Sequence, residues 1–339
     1  MRAAIVEGVG KVSVTTVPDP TPGPRDVVVS VASCGICGTD LHILQGEFAP
    51  TLPILPGHEF AGEVVGLGSE VTELAVGDKV AVDPSLYCHE CRYCRAGRGN
   101  LCDRWNAIGV SVPGGAAEFA VAPVANCVKL PDHIDVRDAA LIEPLSCAVR
   151  GYDVLSSTLG AEVLIYGSGT MGLMMLELAK RTGAAGVDML DINPERLATA
   201  SKLGCSRAAA AAEEFERPGG WDFVIDATGN AGAIQDGLGR VAKGGTFLQF
   251  GVSDYATTAV IEPYKIYNQE ITITGSMAVL HSYERAAALF ASGVLDPAVF
   301  ISDRLPLDQL LLEPFEGRDV GVRVDRVRAV DRVRVAAAT

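Results

Sequence analysis

The chain has 339 residues, of which 48% are hydrophobic and 21% charged, and its formal net charge is −14. This composition is typical of a globular protein long enough for two domains. The acidic balance argues against a nucleic-acid partner, because phosphate binding needs a clustered positive face. The sequence lacks both a run of about 18 apolar residues and a signal peptide. We therefore expect a cytoplasmic protein without a membrane partner, whose nine cysteines are reduced.

Two patterns divide the chain. The first part carries short apolar runs broken by turns, such as 26–31, 60–66 and 79–82, which predict antiparallel strands in a barrel-like sheet. The second part alternates strands and helices, for example a strand at 162–166 followed by a helix at 170–181. That alternation predicts βαβ units and a parallel sheet.

The first part also contains four cysteines with the spacing C-x2-C-x2-C-x7-C: Cys88, Cys91, Cys94 and Cys102. Four soft ligands on one short segment suit a tetrahedral zinc ion with no open position. A closed site of this kind supports structure and performs no chemistry. We expect residues 88–102 to form a lobe around a structural zinc.

A glycine-rich run, GSGTMG, follows the apolar strand EVLIY and opens a helix. This context is typical of a dinucleotide site, where the glycines allow a tight turn, close approach to a pyrophosphate and helix–strand packing. Asp191, 19 positions after Gly172, would accept hydrogen bonds from the adenosine ribose and repel a 2′-phosphate, which favours NAD over NADP. The predicted cofactor-binding residues are Gly167, Gly169, Thr170, Met171, Gly172, Asp191 and Arg196.

A second, dispersed set of metal ligands comprises Cys37 in CGICGTDLH and His58 and Glu59 in LPGHEF. Alone, each has an ordinary alternative: a small buried thiol, a core histidine and a surface carboxylate. Together, a thiolate, an imidazole and a carboxylate are the ligands expected around a zinc ion that keeps a water molecule. Their occurrence upstream of a dinucleotide site favours the metal.

These motifs, in this order, resemble the zinc-dependent medium-chain alcohol dehydrogenases, and most closely their sorbitol, threonine and related polyol dehydrogenase branch. The resemblance covers about residues 1–308. It implies an α/β protein with an N-terminal GroES-like β-barrel catalytic domain and a Rossmann domain built on a doubly wound parallel sheet. We assign 1–147 and 281–339 to the first domain and 148–280 to the second.

The resemblance also implies a role for each site residue. Cys37 and His58 would bind the catalytic zinc directly, and Glu59 would bind it or exchange with water. Glu143 stands where the simple alcohol dehydrogenases carry a cysteine ligand and the polyol branch carries glutamate. With the structural zinc held by Cys88, Cys91, Cys94 and Cys102, this gives two zinc ions per chain.

Three residues that follow Cys37 complete the expected mechanism. The zinc lowers the pKa of a substrate hydroxyl, and a hydride passes to NAD. Thr39 would pass the alcohol proton to the nicotinamide ribose and then to His42, which relays it to solvent. Asp40 would orient His58.

The expected substrate is a secondary alcohol, diol or polyol that is oxidised to a ketone. Glu143 in place of a thiolate makes the zinc site harder, which suits a vicinal diol. Sorbitol dehydrogenases carry an arginine near Ser276-Met277-Ala278, and its absence here predicts a short or partly apolar substrate. Alternatives are a threonine- or aldehyde-type zinc dehydrogenase and, from another class, a non-catalytic nucleotide- and zinc-binding protein.

Two expectations concern the surface and the chain end. The strand predicted at 270–274 would lie at the sheet edge and pair with a second copy, which gives a homodimer or homotetramer. The repeat VDRVRA-VDRVRV at 324–335 shows neither a helical nor a strand period, so we expect a frayed basic tail.

Overall fold

The computed structural model describes residues 1–47, 51–215, 217–311 and 322–325. It divides into two compact units, Met1–Glu143 with Tyr283–Thr339, and Pro144–Ser282. Within the described residues, no helix is both long and apolar enough to cross a membrane.

The first unit is built around one long strand that pairs antiparallel with its neighbours. Its elements up to residue 143 are β1 (Arg2–Gly8), β2 (Lys11–Thr16), β3 (Asp26–Gly35), α1 (Gly38–Gln45), β4 (Phe60–Leu67), β5 (Lys79–Val82), β6 (Ser85–Leu86), α2 (Arg92–Arg95), β7 (Asn106–Ala107), β8 (Phe119–Pro123) and β9 (Cys127–Lys129). β3 pairs with β4 and β8, and β4, β5 and β9 continue the sheet. Alternate residues fill the core, among them Val27, Val29, Phe60, Val64, Val80 and Val82.

The second unit contains a parallel sheet with helices between its strands. Its elements are α3 (Ile142–Leu155), β10 (Glu162–Tyr166), α4 (Thr170–Arg181), β11 (Gly186–Leu190), α5 (Pro194–Lys202), β12 (Arg207–Ala209), β13 (Trp221–Asp226), α6 (Ala231–Arg240), β14 (Val241–Gln249), α7 (Pro263–Gln269) and β15 (Thr272–Gly275). The strand order β12-β11-β10-β13-β14-β15 is that of a doubly wound dinucleotide-binding fold. The predicted fold class is confirmed.

The edge strand of this sheet starts later than predicted. We expected it at 270–274, but Glu270 has φ 53° and ends α7 in the left-handed conformation. Extended backbone therefore begins only at Thr272. The position at the edge is as predicted, since β15 pairs only with β14 among the described residues.

The chain then returns to the first unit through α8 (Tyr283–Ala291), α9 (Pro297–Phe300), β16 (Asp303–Pro306) and β17 (Val322–Asp325). The expectation of a frayed tail is wrong for β17, which pairs with Ser33–Gly35 of β3 and with β16. β8 covers this edge of β3 only from Asp26 to Ser30, so the backbone groups beyond it are open to another strand. Residues 326–339, with most of the repeat, lie outside the described residues.

Candidate active site and metal centres

Cys37, His58 and Glu59 converge at one end of the β3–β4 pair. Cys34 of β3 stands opposite Phe60 of β4, so the residues just beyond each strand end meet at the same end of the sheet. Cys37 is the N-cap of α1. The ligand atoms of Cys37, His58 and Glu59 all lie within 4.8 Å of one another.

The chemistry of this cluster fits a bound zinc ion. His58 and Glu59 are only 7% and 5% exposed, and the buried Nδ1 of His58 has no hydrogen-bond partner. A buried polar group without a partner is costly unless an ion or water satisfies the site. A thiol, an imidazole and a carboxylate at this spacing provide three zinc ligands and leave a coordination position free.

Asp40 connects the two turns that carry these ligands. Its Oδ2 accepts a hydrogen bond from the Cys37 amide at 2.9 Å, and its Oδ1 accepts one from the Gly57 amide at 3.3 Å. Oδ1 also lies 3.8 Å from His58 Nδ1. Burial opposes a charge on His58, but the Asp40 carboxylate and Cys37 still raise its pKa well above the ordinary value. Burial raises the pKa of Asp40 in turn, against the influence of His58.

Thr39, His42 and Glu143 are the other predicted catalytic residues. Thr39 Oγ1 is 3.7 Å from Cys37 Sγ, and His42 lies on the same helix, α1. Glu143 is buried on the first turn of α3. It does not belong to the set of ligand atoms within 4.8 Å, although its charge contributes to the raised pKa of His58.

Glu47 is a neighbour of the predicted proton-relay residue His42 that the sequence analysis missed. Its carboxylate contacts His42 Nδ1. The contact arises because α1 ends at Gly46 with φ 84°, which lets the Glu47 amide bond back to the His42 carbonyl at 2.9 Å. A glycine directly after a helix is a signal for this reversal, so the sequence contained a clue.

The four cysteines of the lobe form a second cluster, with all four sulfur atoms within 4.8 Å of one another. Backbone amides point at the sulfurs: Cys91 N lies 3.3 Å from Cys88 Sγ, and Arg104 N lies 3.3 Å from Cys102 Sγ. The amides of Glu90 and Cys91 lower the pKa of Cys88 to about 6. Amide donors favour thiolates, which are the form that binds zinc, so this donor set fits a closed zinc site.

The glycine-rich loop of the second unit fits a bound pyrophosphate. A Cβ on Gly172 would lie 1.9 Å from the Gly167 carbonyl oxygen, so only glycine allows α4 to pack against the loop. A Cβ on Gly169 would meet nothing within 4 Å, and no side chain caps the start of α4. The first turn, with Thr170 and Met171, presents the backbone amides of a helix N-terminus, which suit an anion.

Asp191 lies directly after β11, as predicted, but its carboxylate also holds two loops. Oδ2 accepts a hydrogen bond from the Ser168 amide at 2.6 Å, and Oδ1 accepts one from the Asn193 amide at 2.8 Å. Arg196 lies in the first turn of α5, where its amide bonds to the Asn193 side chain at 3.3 Å. The structure therefore groups Asp191 with the glycine-rich loop.

Comparison with protein families identifies the chain. A model of the alcohol dehydrogenase GroES-like domain matches residues 23–132, and a zinc-binding dehydrogenase model matches residues 170–292. The chain belongs to the zinc-binding alcohol dehydrogenase family. It is therefore an oxidoreductase, and the predicted family and enzyme class are confirmed.

Individual relatives of this dehydrogenase act on polyols. The chain is 38% identical over 279 residues to D-arabinitol dehydrogenase 1 of Uromyces fabae, and the match covers 79% of this chain and 80% of that protein. It is 37% identical over 297 residues to D-altritol 5-dehydrogenase of Agrobacterium fabrum, covering 85% and 87%. A solved structure assigned as a zinc-binding dehydrogenase from Sinorhizobium meliloti, bound to NADP, has 35% identity and a TM-score of 0.92, covering 96% and 98%.

Proposed function

We propose that this dehydrogenase oxidises a secondary alcohol, diol or polyol to a ketone with NAD, using one zinc ion at Cys37, His58 and Glu59 and another in the four-cysteine lobe. The observation that carries the proposal is the convergence of three zinc-ligand side chains within 4.8 Å on two turns joined by Asp40. The polyol substrates named for the two relatives support the substrate class.

The mechanism divides between the bound groups and the protein. When bound, zinc supplies Lewis acidity at the substrate hydroxyl and NAD accepts the hydride. Thr39, beside Cys37, would accept the hydroxyl proton and donate its own onward in the same step, and His42 on the same helix would take up the relayed proton. The Glu47 carboxylate in contact with His42 Nδ1 would stabilise the positive charge that the imidazole gains. Asp40 holds both ligand-bearing turns in place throughout.

Glu143 is proposed to bias the site towards oxygen-rich substrates. It is buried and close enough to influence His58 electrostatically, without joining the tight ligand set. A carboxylate here, in place of a thiolate, favours oxygen ligands, so a vicinal diol offers a better match than a primary alcohol. The short or partly apolar substrate expected from Met277 stays a prediction.

We infer that the dehydrogenase is a cytoplasmic homodimer or homotetramer that associates along β15. This strand ends the sheet, and Ile273 on it is 45% exposed. Tyr264 and Tyr267 on the neighbouring α7 are 75% and 82% exposed. An open strand edge flanked by apolar side chains is a surface that proteins usually cover.

The proposal is tested by measuring kcat/KM with NAD for 2,3-butanediol, arabinitol, sorbitol, threonine and ethanol, with the products identified. We expect the highest value for a diol or polyol and a ketone as the product. A clear preference for ethanol would refute the substrate class, and a preference for threonine would establish that alternative. Absence of turnover from zinc-loaded protein with every substrate would refute the proposed substrate class.

A further inference from the structure

A stack of glycine backbones lies directly behind the turn that carries His58 and Glu59. A Cβ on Gly109 would lie 2.3 Å from the carbonyl carbon and oxygen of Gly57 and 2.6 Å from the His58 nitrogen. A Cβ on Gly114 would lie 2.3 Å from Gly109 Cα and 2.5 Å from the Gly57 oxygen. Two parts of the chain, the turn at Gly57 and the stretch from Gly109 to Gly114, therefore approach as closely as bare backbone permits.

Hydrogen bonds fix this approach in register. The Gly114 amide donates to the Leu55 carbonyl at 2.9 Å, and the Gly115 amide donates to the Gly57 carbonyl at 2.8 Å. The Ala116 amide donates to the Pro56 carbonyl at 3.0 Å. Residues 109–116, hereafter the glycine segment, thus lie along the whole turn that precedes His58.

Gly57 in the same turn is also confined. It has φ 95°, and a Cβ there would lie 2.5 Å from Cys34 Sγ and 2.7 Å from the Ala116 nitrogen. Its amide donates to Asp40 Oδ1 at 3.3 Å. Asp40, the end of β3 and the glycine segment therefore all hold this turn.

We propose that Gly109 and Gly114 are positioning residues for the catalytic metal, acting through the Gly57–His58 peptide. This inference rests on the proposed zinc site at Cys37, His58 and Glu59. Ordinary contact begins at 3.4 Å, whereas a Cβ on Gly109 would stand at 2.3 Å, so a methyl group there displaces the turn by about 1 Å. Metal and catalytic sites tolerate only about 0.5 Å of error, and the displacement exceeds that limit.

Substitutions at two other glycines serve as controls that distinguish positioning of the metal ligands from general packing. A Cβ on Gly68 would lie 2.0 Å from the Gly23 carbonyl oxygen, so Gly68→Ala presses on backbone at the end of β4 that is far from His58. Gly77 has φ 96° with nothing within 4 Å of its Cβ. Gly77→Ala therefore reproduces the backbone strain of Gly109→Ala, whose φ is 82°, without its contacts.

The experiment measures zinc content, zinc affinity and the visible spectrum of the cobalt-substituted full-length protein, together with its thermal unfolding midpoint. The parent should bind two zinc ions. Gly109→Ala and Gly114→Ala should keep the lobe zinc, while the affinity of the other site falls about 10- to 100-fold and its cobalt spectrum changes. Gly77→Ala and Gly68→Ala should lower the midpoint while keeping both metals.

Three results would count against this inference, and they are distinguishable. If Gly109→Ala and Gly114→Ala retain both metals with parental affinity and spectrum, the glycine segment does not position the ligands. If they lose both metals together with the cooperative fold, or if Gly68→Ala loses the catalytic metal equally, the glycines serve packing alone. A parent that binds zinc only in the lobe would instead refute the proposed catalytic site.

Discussion

The two oxygens of the Asp191 carboxylate accept hydrogen bonds from the amides of Ser168 and Asn193, at 2.6 Å and 2.8 Å. Each carboxylate oxygen has a second lone pair, so the same group remains able to accept from a ribose hydroxyl. A 2′-phosphate would meet a like charge that these bonds hold in place. Asp191 thus supports the phosphate loop, and we propose that it also selects the cofactor.

We therefore predict that kcat/KM with NAD exceeds that with NADP by at least about 100-fold, equivalent to ~2.7 kcal/mol. Asp191→Ala should lower the ratio of kcat/KM with NAD to kcat/KM with NADP. It should also weaken binding of both cofactors, because the phosphate loop loses its support. Glu213→Ala, which removes an exposed carboxylate, serves as the control. Equal values for the two cofactors in the parent would show that the ribose is recognised elsewhere.

Asp83 provides a test of pH dependence away from the proposed chemistry. Burial raises its pKa to about 6, although the Ser85 amide lowers it. The native state therefore binds the proton more tightly than the unfolded chain, so stability is lost as pH rises from about 4 to about 6.

Asp83→Asn removes the buried charge and should stabilise the protein above pH 6. The gain is at most about 3 kcal/mol, because a pKa raised from about 4 to about 6 corresponds to twice ~1.4 kcal/mol. The Asn oxygen can still accept the 2.9 Å bond from the Ser85 amide. Denaturant unfolding of both proteins between pH 4 and pH 8 checks this. If the free energies of unfolding of the two proteins differ by the same amount at every pH in that range, the pKa of Asp83 is not raised in the folded protein.

At the scale of elements, features that depend on residues close together in the sequence were predicted correctly. β10 and α4 have the predicted bounds, because an apolar run and a glycine-rich turn mark their ends. The four-cysteine cluster was likewise predicted from one short motif with characteristic spacing, whereas the dispersed Cys37, His58 and Glu59 set was predicted from its ligand types and its place upstream of the dinucleotide site. For β10, α4 and the lobe, the chemistry and the chain geometry are specified within a few residues.

Features that depend on distant segments were missed. β17 forms because β3 leaves part of its edge open to residues more than 280 positions away, from Gly35 to Arg323. The glycine segment supports the His58 turn across more than 50 positions, from Gly57 to Gly109. No local periodicity encodes either contact, since each is decided by tertiary packing.

The lobe allows a prediction for a single element. The Cys88 amide donates to Cys102 Sγ and the Cys91 amide donates to Cys88 Sγ, so the backbone of the lobe is arranged around its sulfur atoms. We expect a metal ion bound to these sulfurs to contribute folding free energy directly. Cys94→Ser should remove the lobe zinc and lower the thermal unfolding midpoint, while the zinc at Cys37 and His58 stays. Cys205→Ser is the control. Loss of activity with normal stability and assembly would place the lobe in the active site instead.

At the scale of the whole molecule, the net charge of −14 opposes self-association unless an apolar surface compensates for it. The exposed residues on β15 and α7 supply such a surface. We predict that Ile273→Lys shifts the oligomer towards monomer in analytical ultracentrifugation. Val76→Lys, at a side chain that is 62% exposed in the other unit, should leave assembly unchanged. An unaltered oligomer in Ile273→Lys would exclude association along β15.

The central claim is that one chain holds a structural zinc and a separate catalytic zinc. It is tested most directly by the zinc content and activity of protein purified without chelator, compared with Cys37→Ser and the control Cys127→Ser. We predict two zinc ions in the parent and control, and one zinc with activity lowered at least about 1000-fold in Cys37→Ser. One zinc ion in all three proteins, with activity unaffected by Cys37→Ser, would contradict the account.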